Sequence, residues 1–141
     1  MLRARIFLAS ALVFARAASA EPATINMYVN PQCSCCQGHA AYLRREGFKV
    51  NVTTSHDMSL IRRQHSVPDK LVGCHIAFVD GYVIEGHVPA SAIRKLLAER
   101  PNLKGISLPG MPDGSPGMTG RKAEPFKIYE ISDEAKVFTM E

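Results

Sequence analysis

Ile25-Asn26-Met27-Tyr28-Val29-Asn30-Pro31-Gln32-Cys33-Ser34-Cys35-Cys36 joins an alternating, β-rich run to three cysteines within four residues. The alternation predicts a strand that ends at Asn30-Pro31. From Cys36 to Glu46, Ala40, Tyr42, Leu43 and the pair Arg44-Arg45 predict a helix, with Gly47 as its stop. The cysteines therefore fall where the strand hands over to the N-terminus of the helix. Unpaired N–H groups and the positive end of the helix dipole favour thiolate over thiol there. Lowered thiol pKa values are expected, and such thiolates can attack a disulfide or hold a soft metal.

Outward from this stretch, Phe48 to Thr53 predicts a second strand. Asp57 is the expected N-cap of a short helix through Met58, Leu60 and Ile61, broken before Val67-Pro68. Ile76–Val79 and Tyr82–Ile84 flank Asp80-Gly81, a strong hairpin signal because a type I′ turn needs positive φ at both central positions. Pro89 leads into a helix with Ile93, Leu96 and Leu97 on one stripe, stopped by Pro101. A βαβ half followed by a ββα half predicts an α/β, thioredoxin-like domain, with a ferredoxin-like split βαβ as the nearest competitor. Residues 105–125 hold five of the ten Gly and four of the nine Pro, which predicts a long Gly/Pro/Met loop of the same domain. Phe126–Ile131 and Lys136–Met140 alternate about Ser132-Asp133-Glu134, a C-terminal extension with the pattern of a β-hairpin.

The whole chain has 141 residues, 46% apolar and 21% charged, the composition of one globular domain. Arg3 and Arg5, the apolar run Ile6–Ala15 and Ala18-Ser19-Ala20 have the form of a secretory signal peptide, cleaved after Ala20. That run is about half the roughly 20 residues of a spanning helix, and no later segment approaches that length. Cleavage removes Arg3, Arg5 and Arg16, leaving 14 basic against 13 acidic residues and a net charge of +1 in place of +4. No basic surface for nucleic acid or membrane is then expected. The expected organisation is signal 1–20, thioredoxin-like domain 21–104, loop 105–125 and C-terminal extension 126–141.

A domain of this size needs neither metal nor disulfide merely to fold, so the cysteines call for another explanation. A stapling disulfide is the plain alternative, but Cys33–Cys36 closes almost no loop and would constrain the unfolded chain little. Cys74-His75 directly precedes the first hairpin strand, which in a thioredoxin-like fold begins beside the first helix's N-terminus. Cys74 is therefore expected to face Cys33, Cys35 and Cys36, where a redox domain of this fold would carry a cis-proline. Zinc would accept four cysteines, or three with a histidine, yet closed structural zinc usually takes two separated pairs. Adjacent Cys35-Cys36 is awkward for iron–sulfur ligation. Crowded thiolates with methionines nearby suit Cu(I) best. Met27 and Met58 read as core, whereas Met111 and Met118 lie in the Gly/Pro loop as a copper-facing lid. His75 is favoured by position, His87 can approach the loop, His39 lies one turn into the helix facing either the cluster or solvent, and His56 and His65 read as surface residues.

Tyr28-Val29-Asn30-Pro31-Gln32-Cys33-Ser34-Cys35-Cys36, Val72-Gly73-Cys74-His75, Val79–Pro89 and Pro109-Gly110-Met111-Pro112 with Gly114-Ser115-Pro116-Gly117-Met118 together resemble the CopG-like family of bacterial copper-resistance, metal-binding proteins. The resemblance spans about residues 25–118. It implies a thioredoxin-like fold, a periplasmic location and a copper site with Cys33, Cys35 and Cys36 as principal ligands and Cys74 near them. His75, His87, Met111 and Met118 match the family's motifs.

The expected function is thus an exported protein of periplasmic copper resistance. It would hold one or more Cu(I) ions on the CxCC cluster, with copper redox activity compatible. Its expected partners are copper ions and copper-transport or copper-resistance proteins of the periplasm, with no nucleic acid and no membrane after cleavage. The competing expectation is a thiol–disulfide oxidoreductase in which Cys33 attacks and Cys36 resolves. A copper chaperone with an exposed cluster is a third.

Overall fold

The computed structural model describes residues 21–141, so the expected signal segment lies outside the described residues. Seven strands and three α-helices follow one another: β1 Thr24–Val29, α1 Ser34–Arg45, β2 Lys49–Thr54, α2 Met58–Gln64, β3 Ile76–Val79, β4 Tyr82–Glu85, α3 Ala90–Glu99, β5 Gly105–Ser107, β6 Lys127–Glu130 and β7 Val137–Met140. A 3-10 turn at Asp69–Leu71 separates α2 from β3. All strands lie in one open sheet of order β2-β1-β3-β4-β5-β6-β7. The pairs β1·β2 and β4·β5 are parallel, and the other pairs are antiparallel. This alternating strand–helix topology is broadly thioredoxin-like.

Strand alternation assigns the two faces. Ile25, Met27, Val29, Ala77, Val79 and Ile84 pack with Ala40 and Leu43 of α1 and Ile93 and Leu96 of α3. Ile76 and Val83, of opposite parity, pack instead with Met58 of α2. Helices thus cover both faces, and Met27 and Met58 are core residues as expected. The tight turn between β3 and β4 has φ of 46° at Asp80 and 86° at Gly81, the positive values that a type I′ turn requires.

Two boundaries depart from expectation. The first helix begins at Ser34, not Cys36, with Cys33 as its N-cap, so Cys35 and Cys36 are in its first turn. The stretch 105–125 is not wholly loop: Gly105–Ser107 forms β5, buried throughout, between β4 and β6. A three-residue strand carries too short an alternation to stand out in sequence. Its first residue meets β4 so closely that a Cβ on Gly105 would lie 1.9 Å from the Val83 carbonyl oxygen.

The register concentrates chain connections at one end of the sheet. Tyr28 near the end of β1 pairs with Ile76 at the start of β3, Ile76 pairs with Glu85 at the end of β4, and Glu85 pairs with Ser107 at the end of β5. The segments 30–33, 72–75, 86–89 and 108–118 therefore all issue from the same end.

Candidate metal centre

The CxCC segment enters this end from β1. The Cys33 N–H is bonded to the Asn30 carbonyl at 3.0 Å, a turn that brings the chain directly into α1. Cys74 arrives from the opposite side, on the segment preceding β3. Its sulfur lies 3.0 Å from that of Cys33, 3.2 Å from Cys35 and 3.4 Å from Cys36. All four sulfurs lie within 4.8 Å of one another, Cys36 buried and the others half-buried. Cys33 and Cys36 are joined as a disulfide, whereas Cys35 and Cys74 are free. The expected helix-end thiolates are thus available at Cys33 and Cys36 only after reduction. Burial, then the neighbouring Cys35 thiol, pushes the Cys74 thiol up to about 12, so it carries its proton in this state.

In the reduced state the cluster can chelate a metal ion. Four sulfurs placed about 2.3 Å from one tetrahedral ion would be about 3.8 Å apart. The sulfur separations involving Cys74 need to grow by less than about 1 Å to reach this spacing.

Beside the sulfurs lies a cluster that the sequence only partly announces. His39, His75 and His87 are all fully buried, with ring centroids 4.9 to 5.0 Å apart. Nδ1 of His39 is 2.8 Å from Nε2 of His75, and Nε2 of His39 is 3.0 Å from the Val88 carbonyl. Nδ1 of His87 is 2.7 Å from the Pro116 carbonyl. Nδ1 of His75 and Nε2 of His87 are buried without any hydrogen-bond partner, and both rings offer a nitrogen within 4.8 Å of the Cys74 sulfur. Burial above all holds the three imidazoles neutral: His39 is lowered to about 3, while His75 and His87 shift the same way. Buried, neutral and unpartnered ring nitrogens beside a thiol are donors suited to a metal.

His39 is the residue that sequence reading left undecided. Cys36, His39, Ala40 and Leu43 fall at i, i+3, i+4 and i+7 of α1, and all four are buried. That stripe was the available signal for its inward orientation. His56 and His65 are exposed, as expected, although His65 packs its ring 4.4 Å from that of Phe78.

The two loop methionines are placed differently. Met111 is 57% exposed and lines a shallow cleft with Asn30, Gln32, Cys33, Gly73 and Cys74. Gly110, just before it, forms a bridge to Gly73 and donates its N–H to the Val72 carbonyl at 2.9 Å. Met118 is half-buried beyond the loop's closest approach to α1, and it does not line the cleft that Met111 shares with Cys33 and Cys74.

A buried ion pair steadies the Cys74 segment from the other face of the sheet. Glu85 is fully buried, and its Oε1 accepts from Arg62 Nε at 3.0 Å and from the Gly73 N–H at 2.9 Å. Arg62 also donates to the Gly73 carbonyl. Both polar groups of Gly73 are thus held, one residue before Cys74. Burial raises the Glu85 carboxyl above its usual range, an effect that Arg62 and the Gly73 N–H oppose. Among the described residues no peptide bond is cis, so the proline clamp of a redox domain is absent and Cys74-His75 stands in its place.

Fold and site together define a broadly thioredoxin-like domain with a four-cysteine cluster able to chelate a metal ion. A family model described as "Protein of unknown function, DUF411" matches residues 71–118. Two solved structures of "Copper resistance protein copG" are similar at 36% identity. Form 1 has a TM-score of 0.78 over 86% of this chain and 98% of its own; Form 2 has 0.76 over 85% and 96%. No curated protein matches. The chain belongs to the CopG-like (DUF411) family of copper-resistance proteins.

Proposed function

We propose that the protein is an exported copper-binding protein that protects the periplasm by holding Cu(I) on Cys33, Cys35, Cys36 and Cys74. The observation that carries this reading is the convergence of four sulfurs, one of which, that of Cys74, also lies within 4.8 Å of a ring nitrogen of each of the buried His75 and His87. Soft thiolates favour Cu(I), and sulfur bridging lets a compact cluster hold more than one ion. His75 and His87 supply nitrogen donors on the Cys74 side, and Met111 a thioether at the cleft mouth. Met118 belongs to the same lid and is proposed as a further thioether donor. Copper bound between sulfur and nitrogen donors could exchange between Cu(I) and Cu(II), so copper oxidoreduction is compatible with the site.

Export by a signal cleaved after Ala20 belongs to this proposal. Among the described residues no helix is long and apolar enough to cross a membrane. The partners we propose are copper ions and the copper-handling proteins that deliver or remove them. The functional division we propose is domain 21–104, loop 105–125, whose first three residues form β5, and C-terminal extension 126–141.

The Cys33–Cys36 disulfide favours a second reading, thiol–disulfide exchange. Opening it takes two electrons and two protons and frees the two thiols that copper also needs. Anaerobic Cu(I) titration of reduced residues 21–141 against a calibrated chelator, with free thiols counted, separates the two. Tight uptake that masks all four thiols, and loses stoichiometry in Cys35→Ser, is the expected result. Weak uptake together with disulfide-reductase activity that survives Cys35→Ser would establish the oxidoreductase instead.

A further inference from the structure

We propose that His39 is a positioning residue that fixes the tautomer of His75, presenting the His75 Nδ1 lone pair to the metal. The inference rests on the reading of His75 as a nitrogen donor. A carbonyl oxygen can only accept, so the Val88 contact places the proton of neutral His39 on Nε2. Nδ1 of His39 is then a bare acceptor, and the 2.8 Å contact requires His75 to donate from Nε2. A neutral imidazole carries one N–H, so His75 Nδ1 is left as a lone pair.

The Pro116 carbonyl acts in the same way on His87. It accepts a hydrogen bond from Nδ1–H, which leaves Nε2 bare. These two lone pairs are the buried, unpartnered nitrogens of the rings that gather beside the Cys74 sulfur. Two bare acceptors cannot bond each other, whereas an electrophilic ion satisfies both. Without His39, His75 is free to move its proton to Nδ1, which removes the lone pair that a metal needs. His39 thus keeps the Nδ1 lone pair of His75 bare in the metal-free site. Its Val88 anchor lies directly after His87, so one backbone segment orders both donors.

The tautomer can be read directly from long-range 1H–15N correlation spectra of the metal-free protein labelled at histidine. Wild type is expected to show His75 protonated at Nε2, and a His75 protonated at Nδ1 would overturn the proposal. His39→Leu is expected to bring in the Nδ1–H form and to weaken Cu(I) binding about 10- to 100-fold. His39→Asn, which keeps an acceptor near the position of Nδ1, should recover much of that loss. His75→Ala separates this inference from the reading beneath it. If His75→Ala weakens binding but His39→Leu retains the wild-type tautomer and affinity, positioning by His39 is refuted and the donor role stands. If His75→Ala leaves affinity unchanged, the donor role falls and the positioning role with it.

Discussion

His39, His75 and His87 show what burial does to a titratable side chain when its partners are backbone carbonyls and other imidazoles. Removal from water penalises the cation, and neither carbonyl contact offsets that penalty fully. The sign of the stability effect follows. His39 has a folded pKa of about 3 against 6.5 in the unfolded chain, so the unfolded state binds more protons between these values. Its contribution is therefore full above pH 6.5 and is lost as the pH falls towards 3, at about 1.4 kcal/mol per pH unit for such a group. His75 and His87 act in the same direction. Glu85 acts oppositely, because its raised pKa makes the folded state the stronger proton binder as acid is added. The histidines outnumber it. Urea unfolding of the metal-free protein should show a midpoint that falls steadily from about pH 7 to about pH 5; a flat midpoint would mean that the imidazoles are hydrated or already paired.

At the scale of elements, the loop after β5 reaches the histidines through two close backbone approaches. Gly86 has φ of +80°, and a Cβ there would stand 2.3 Å from the Leu108 carbonyl oxygen, so the β4 exit and the β5 exit lie against each other. Further along, a Cβ on Gly117 would stand 2.3 Å from the His39 backbone nitrogen, and its φ is +84°. Glycine at 117 lets the loop rest on α1, where the neighbouring Pro116 carbonyl meets His87. Gly117→Ala should lift this contact and destabilise the protein by about 2 kcal/mol, combining an unfavourable positive φ with overpacking. Thermal unfolding measures the loss, and faster amide exchange at Met118, whose N–H is bonded to the Ser115 carbonyl, would localise it. Unchanged exchange there would show that the loop is held elsewhere.

Across the whole molecule, the C-terminal hairpin closes the side of the sheet opposite β2. Ile128 and Ile131 are almost wholly buried and Phe126 is 9% exposed, each covering ground beside β5. Ending the chain at Ala123 would return these three side chains to water and leave β5 as the sheet edge. At about 1.5 to 3 kcal/mol per large apolar side chain, the expected loss is about 5 to 9 kcal/mol, enough to threaten a marginally stable domain. Chemical denaturation of the two lengths checks this: near-equal midpoints would show that the hairpin is an appendage and not part of the cooperative unit. The same edge explains why a short β5 persists. Three residues would form a weak terminal strand, but between parallel β4 and antiparallel β6 their backbone groups are paired on both sides.

By itself the sequence determined the features that local chemistry controls. Alternation marked β1, Asp80-Gly81 marked the turn between β3 and β4, and the CxCC segment declared sulfur chemistry at a helix N-terminus. Its motifs also carried the family resemblance. Tertiary structure alone decided which lone pairs are left bare, because the His39–His75 contact joins residues 36 positions apart and the tautomers depend on carbonyls from two further segments. It also decided that Glu85 is a buried partner of Arg62 and Gly73, which strand parity can suggest but cannot pair. The facing of Cys74 and the CxCC segment was expected from the fold class, but only the register showed that the turn after β4 and the loop after β5 come to that same end of the sheet. Local propensity is written residue by residue, whereas a site assembled from four chain crossings exists only once strand order and register bring their ends together.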